Sequence, residues 1–192
     1  MKHTLINSLL VSALLLSPAW AAVDIKGVKF SDTYEVASQP LKLNGAGLRV
    51  KVVFNIYAAS LYLPQKQTTA QGVIHAPGAK SVQAVMLRDL TADEFVSAMI
   101  KGFKANNSAA DVARLMPRLE QLETMMTAVG KAPKGTSVHI DYLPGIGTRI
   151  IVDGQRRGAD IPGEDFYQAM LRIWLGDDPV DSDLKTSLLG GK

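Results

Sequence analysis

Arg49, Lys51, Asn55 and Tyr57 stand at odd positions of the apolar stretch 45–63, while Leu48, Val50, Val52, Phe54, Ile56 and Ala58 take the even ones. A period of two is the pattern of β structure, with successive side chains on opposite faces. One face is apolar. The other carries a guanidinium, an ammonium, an amide and a phenol, an unusual concentration of hydrogen-bonding groups for so apolar a strand. The chemistry on offer is recognition by hydrogen bonds, and that face is the candidate site. Val53 and Ala59 also fall on the polar parity, which predicts a bulge or a tight hairpin near Lys51 to Phe54. Taken alone, the same residues also fit a solvated arginine and a sheet-packing tyrosine.

Other chemistries find little support. The sequence has no cysteine, which excludes thiol catalysis, Cys-based zinc sites and iron–sulfur clusters. His75 and His139 lie in unrelated segments without spaced carboxylate partners, so they read as ordinary histidines and no metal site is expected. There is no Gly-x-Ser-x-Gly elbow, no P-loop and no dinucleotide fingerprint; Gly145-Ile146-Gly147 leads from one strand into another and reads as a turn. No cofactor is expected. Met116, Met125 and Met126 stand at helical spacing and read as core or as the wall of an apolar cavity.

The first 21 residues read as a cleavable signal peptide. Met1-Lys2-His3 is a short basic start, Leu9 to Leu16 is apolar but too short to span a bilayer, and Ala19-Trp20-Ala21 is a small-x-small cleavage pattern. Residues 22–192 are then a single exported domain, periplasmic in location, with no membrane span of its own. Loss of Lys2 lowers the formal charge of +3 by one. Basic and acidic residues are interspersed, which gives no electrostatic case for nucleic acid.

The elements that must position the polar face follow in order. Val23 to Phe30 alternates with a slip at Gly27, as in an opening strand or strand pair, and Pro40 to Gly45 reads as a short strand entering a turn. Pro64 ends the central stretch, and residues 72–75 fit either a helical turn or a strand. Ser81 to Leu87 is apolar on both parities, as in a strand covered on both faces. Thr91-Ala92-Asp93-Glu94 is a capping box opening a helix to about Asn106, with Phe95, Ala98, Met99, Gly102 and Phe103 on one stripe. A second helix starts after Ser108 and is expected to kink or restart at Pro117. Thr136 to Arg156 reads as a β-meander, and a helix opening at Pro162-Gly163-Glu164-Asp165 buries Phe166, Met170, Ile173 and Trp174. This order predicts an α+β domain with a largely antiparallel sheet covered by helices on one face.

Four motifs in this order carry a resemblance: Gly47-Leu48-Arg49; Ile56-Tyr57-Ala58-Ala59-Ser60-Leu61-Tyr62-Leu63; Leu90-Thr91 at a helix start; and Ile173-Trp174-Leu175-Gly176-Asp177-Asp178-Pro179-Val180 before Leu184-Lys185. Together they resemble the chalcone isomerase-like family, in particular its exported bacterial branch, from about residue 24 to residue 190. The resemblance implies an open-faced β-sandwich with a ligand cleft between sheet and helices.

It also implies which residues would matter. Plant-type isomerases orient their substrate with an arginine, a threonine, a tyrosine and an asparagine. Here Arg49 matches the arginine, but the other positions fall on Tyr57, Phe95 and Gly102, with a last-helix hydroxyl position near Ile173. Losing even one well-placed donor costs about 10²–10³ in rate, so chalcone cyclisation is not expected. The family's fatty-acid-binding branch is similar in pairing the arginine with a tyrosine, and there the pair holds a carboxylate. A guanidinium fork and a phenol suit that group, and Phe95, Met99, Gly102 and Phe103 would form an apolar slot beside them. Three functions stay open: a non-catalytic binder of a small apolar acid such as a fatty acid, an intramolecular lyase or isomerase with altered residues, and an interaction protein of the cell envelope. The sequence leaves the oligomeric state open.

Overall fold

The computed structural model describes residues 22–191, so the expected signal segment lies outside the described residues. The strands are β1 (Ala22–Ile25), β2 (Val28–Ser31), β3 (Thr33–Val36), β4 (Gln39–Lys51), β5 (Phe54–Leu63), β6 (Lys80–Met86), β7 (Leu90–Thr91), β8 (Lys131–Ala132), β9 (Ser137–Leu143), β10 (Gly147–Val152) and β11 (Gln155–Ile161). The helices are α1 (Ala70–Ile74), α2 (Ala92–Ala105), α3 (Ala109–Thr127), α4 (Glu164–Leu175) and α5 (Ser182–Leu188). Seven strands form one antiparallel sheet in the order β11-β10-β9-β6-β5-β4-β3.

Both faces of this sheet are covered. Tyr57, Ala59, Leu61 and Leu63 of β5 join the large core beneath the helices, with Met99 and Phe103 of α2 and Met170 and Trp174 of α4. Ala58 and Tyr62, on the opposite parity, join a smaller core with Phe30, Val36, Leu41 and Leu43 from the strands around them. From Tyr57 to Leu63 the odd positions therefore face the helices and the even ones the lesser layer, while nearer the hairpin turn Val52, Phe54 and Ile56, of the apolar parity, also reach the helix side. A period-two pattern separates the two faces but does not say which receives the helices.

Two irregularities shape the central hairpin. The β4–β5 register shifts between Leu43 and Gly45 and again between Arg49 and Val50, while Lys51 pairs with Phe54 around a two-residue turn. The expected bulge and the expected tight hairpin are thus both present. The turn expected at Gly45 is absent: β4 runs on without interruption, and the glycine serves a close approach. A Cβ on Gly45 would lie 2.1 Å from the Ser187 carbonyl oxygen of α5, and one on Gly47 2.6 Å from Ser187 Cβ. Asn44, in the first irregularity, fastens the contact by donating to the Leu188 carbonyl (2.7 Å) and the Gln67 carbonyl (2.9 Å).

The capping box at the start of α2 forms as expected: Glu94 N–H donates to Thr91 Oγ1 and Thr91 N–H to the Glu94 carboxylate. Proline does not interrupt α3, which runs continuously from Ala109 to Thr127. Pro117 sits on the exposed side, where water can satisfy the carbonyl that its missing N–H leaves free. Residues 72–75 belong to the helical alternative, α1 and its cap. Arg114 and Arg118 of α3 both pair with Asp165 at the start of α4, tying these helices together.

Under the lesser layer, Asp141 of β9 is buried, and its carboxylate accepts from the Tyr34 hydroxyl at 3.2 Å. Burial pushes its pKa up to about 6, against the smaller opposing pull of the Tyr34 bond and Arg149. A carboxyl whose folded pKa is raised carries no penalty below its unfolded value, near 4, and the full penalty above about 6. Neighbouring His139 is pushed down to about 4 by burial, so its own penalty develops in acid. Asp141→Asn is expected to stabilise the protein at pH 8 by on the order of 2 kcal/mol and to leave it nearly unchanged at pH 4. Thermal melts of both proteins at the two pH values check this.

Candidate functional site

A cavity of about 960 Å³ opens between the β4–β5 hairpin, α2 and the C-terminal end of α4. Its wall contains Arg49 from β4, Ile56 and Tyr57 from β5, Phe95, Met99 and Gly102 from α2, Ile173 and Trp174 from α4, and Val180 from the loop beyond. All five residues singled out from sequence, Arg49, Tyr57, Phe95, Met99 and Gly102, meet around one space. Phe103 does not: it is fully buried and packs against Phe166, on the far side of the helix stripe. Lys51 reaches only the cavity's mouth, and Asn55 is exposed outside its lining.

The two polar residues are neighbours because Arg49 and Tyr57 are direct cross-strand partners. The Arg49 side chain is 20% exposed, and one of its N–H groups donates to the Val50 carbonyl. Asp181 stands 3.6 Å away, with one carboxylate oxygen accepting from Val50 N–H (3.0 Å) and the other from Leu184 N–H (2.9 Å). It caps α5 and steadies the guanidinium at the same time. A guanidinium has five N–H donors, so this engagement leaves capacity for a second anion.

Tyr57 is buried, and its hydroxyl oxygen accepts from Trp174 Nε1 at 3.0 Å. That fixes the phenol and leaves its own O–H to donate. Burial pushes the Tyr57 pKa up to about 12, outweighing the Trp174 bond and the nearby Arg49, which pull it down. At neutral pH the group is a hydrogen-bond donor and not a base.

The remaining wall is apolar. Phe95 meets Tyr57 edge to face, with ring centroids 6.3 Å apart. Gly102 lets α2 approach the end of α4, since a Cβ there would lie 3.0 Å from Ile173 Cγ2 and 3.1 Å from Val180 Cγ1. Arg88, Asp93, Glu94, Lys101 and Asp178, the charged residues of the lining besides Arg49 and Lys51, are exposed and form its rim. The arrangement can hold a molecule with an apolar body and one acidic end.

Trp174 and Asp181 were not among the residues singled out. Trp174 was legible as a buried position on the last helix, though its bond to Tyr57 was not. Asp181 carries an N-cap signature, an acid before Ser182-Asp183-Leu184, that could have found it.

Comparison with known proteins now decides the family. The sequence matches the model for chalcone isomerase-like proteins over residues 22–190. The chain belongs to the chalcone isomerase-like family. A similar fold is seen in the crystal structure of a fatty-acid binding protein from Arabidopsis thaliana, AtFAP1. The match has a TM-score of 0.67 at 16% sequence identity and covers 88% of this chain and 96% of that one. At that identity the likeness establishes the fold alone. No curated protein matches the sequence.

Proposed function

We propose that this chalcone isomerase-like protein is a non-catalytic binder of a small apolar carboxylate, such as a fatty acid, acting in the periplasm. The observation that carries the reading is the pairing of one guanidinium and one neutral phenol in the wall of a large apolar cavity. Arg49 pairs with the carboxylate, Tyr57 donates a further bond to it, and the acyl chain lies along Phe95, Met99, Gly102 and Ile173. The volume falls within the ~300–1,000 Å³ of small-molecule sites. AtFAP1, which shares the fold, is named for binding fatty acids, and this supports the choice of ligand class.

The same geometry favours binding over turnover. Catalysis of proton transfer needs a group whose pKa lies near the working pH. Tyr57 is held far above that range, and the isomerase positions for tyrosine and asparagine carry a phenyl ring and a glycine. The periplasmic location is supported by the signal-like first 21 residues. No described helix is long and apolar enough to cross a membrane. The reading is tested by titrating residues 22–192 with a long-chain fatty acid and with its methyl ester, following the emission of Trp174 in the cavity wall.

A further inference from the structure

The tip of the β4–β5 hairpin is built against local preference. Val52 and Val53 form its two-residue turn, and only the first has a positive φ, +60°. That is the position where a hairpin turn of this kind takes glycine, and a β-branched residue there is an outlier. Five large apolar side chains are exposed among the described residues, and three of them are consecutive here: Val52 (88%), Val53 (77%) and Phe54 (56%). A loop tip facing only water is served best by Gly, Asn or Asp. Local backbone strain and exposed oil coincide at one spot.

The surroundings narrow the choice of partner. Arg88 lays its guanidinium over the Phe54 ring at 4.9 Å, and Lys51 flanks the turn as the cross-strand partner of Phe54. The acids around them are Asp89, next to Arg88 in the chain and accepting from Lys134 N–H, Asp93, and Glu94, which Thr91 engages in the capping box and which also lies within electrostatic reach of Arg88 and Lys51. Val52, Phe54, Lys51 and Arg88 also form the lip of the cavity. The tip is thus a convex apolar wedge with two cations, Lys51 and Arg88, at its base and the acids Asp93 and Glu94 set back on α2, at the mouth of a cavity. A wedge of this kind seats in the boundary between headgroups and acyl chains, with its cations against phosphates.

We propose that the tip docks the protein onto the surface of an anionic phospholipid bilayer, placing the cavity mouth against the lipid. The purpose of the docking rests on the ligand reading, but its evidence does not. The test is flotation of residues 22–192 with vesicles of phosphatidylethanolamine and phosphatidylglycerol, free of fatty acid. The wild type floats with these vesicles and much less with phosphatidylcholine. Val53→Asp lowers the bound fraction at least tenfold. Val52→Gly, which keeps and relaxes the turn, lowers it severalfold with an unchanged or higher melting temperature.

A wild type that stays with the soluble fraction, or a Val53→Asp protein that floats as well as the wild type, overturns the proposal. Val53 does not line the cavity, so Val53→Asp keeps wild-type affinity for a fatty acid in vesicle-free solution. Flotation without fatty-acid binding would leave the docking standing and remove the ligand reading. Fatty-acid binding without flotation would do the reverse.

Discussion

Arg49→Ala lowers affinity for a long-chain fatty acid by about 10- to 150-fold. A hydrogen bond to a charged group contributes about 1.5–3 kcal/mol, and each 1.4 kcal/mol is a factor of ten. The fold survives the change, because Asp181 keeps its bonds to Val50 N–H and Leu184 N–H when the guanidinium leaves. The cost in stability should be no more than about 1 kcal/mol, as for other partly exposed ion pairs. Arg49→Lys restores the charge without the planar fork and should fall between alanine and wild type. Isothermal calorimetry reads the affinities, and a thermal melt reads the fold. Equal affinity in all three proteins would remove Arg49 from the site.

Gly45→Ala lowers the melting temperature by about 2–12 °C. The new methyl group would sit 2.1 Å from the Ser187 carbonyl oxygen and 2.8 Å from that of Leu188. Both atoms are backbone, so no rotamer change relieves the clash and α5 must move as a body. Overpacking of this sort costs about 1–3 kcal/mol, and 1 kcal/mol corresponds to roughly 2–4 °C in a domain of this size. The displacement carries Asp181 with it, since that residue caps α5. Ligand affinity should therefore fall together with stability, although Gly45 lies outside the cavity lining. Calorimetry and differential scanning of the same sample check both effects.

Much of this protein is legible in local sequence. The Thr91–Glu94 capping box, the strand from Ser81 and the meander from Thr136 onward depend on neighbours a few residues apart, and each forms where its residues predict. The features that escape are set by distant partners. Glycine at position 45 reads equally well as a turn or as room for another element, and only the packing of α5 decides between them. Asp181 acts on Val50, 131 residues earlier in the chain. Proline in a helix reads as a break, yet on an exposed face the unpaired carbonyl meets water and α3 continues.

The candidate site shows the same division. Arg49 and Tyr57 stand out as polar groups on so apolar a strand, but only the family resemblance makes them, with Phe95 and Gly102, site residues; helical spacing adds that Phe95, Met99 and Gly102 share one stripe. Phe103 shares their stripe, but a stripe about 100° wide spans both the cavity wall and the interior beyond it. The tie between Trp174 and Tyr57 joins residues 117 positions apart and has no signature in sequence.

The measurement that bears most directly on the account is the titration followed through Trp174, which is the only tryptophan in residues 22–192. Its indole N–H is bonded to the phenol assigned to the carboxylate, so a ligand seated there changes the emission. Saturable binding of the fatty acid at one site per chain is expected, with the methyl ester at least tenfold weaker because it offers Arg49 no negative charge. Binding of acid and ester with equal affinity would show that the cavity takes apolar molecules without reading the carboxylate. An unchanged signal, with no binding of either by calorimetry, would contradict the account altogether.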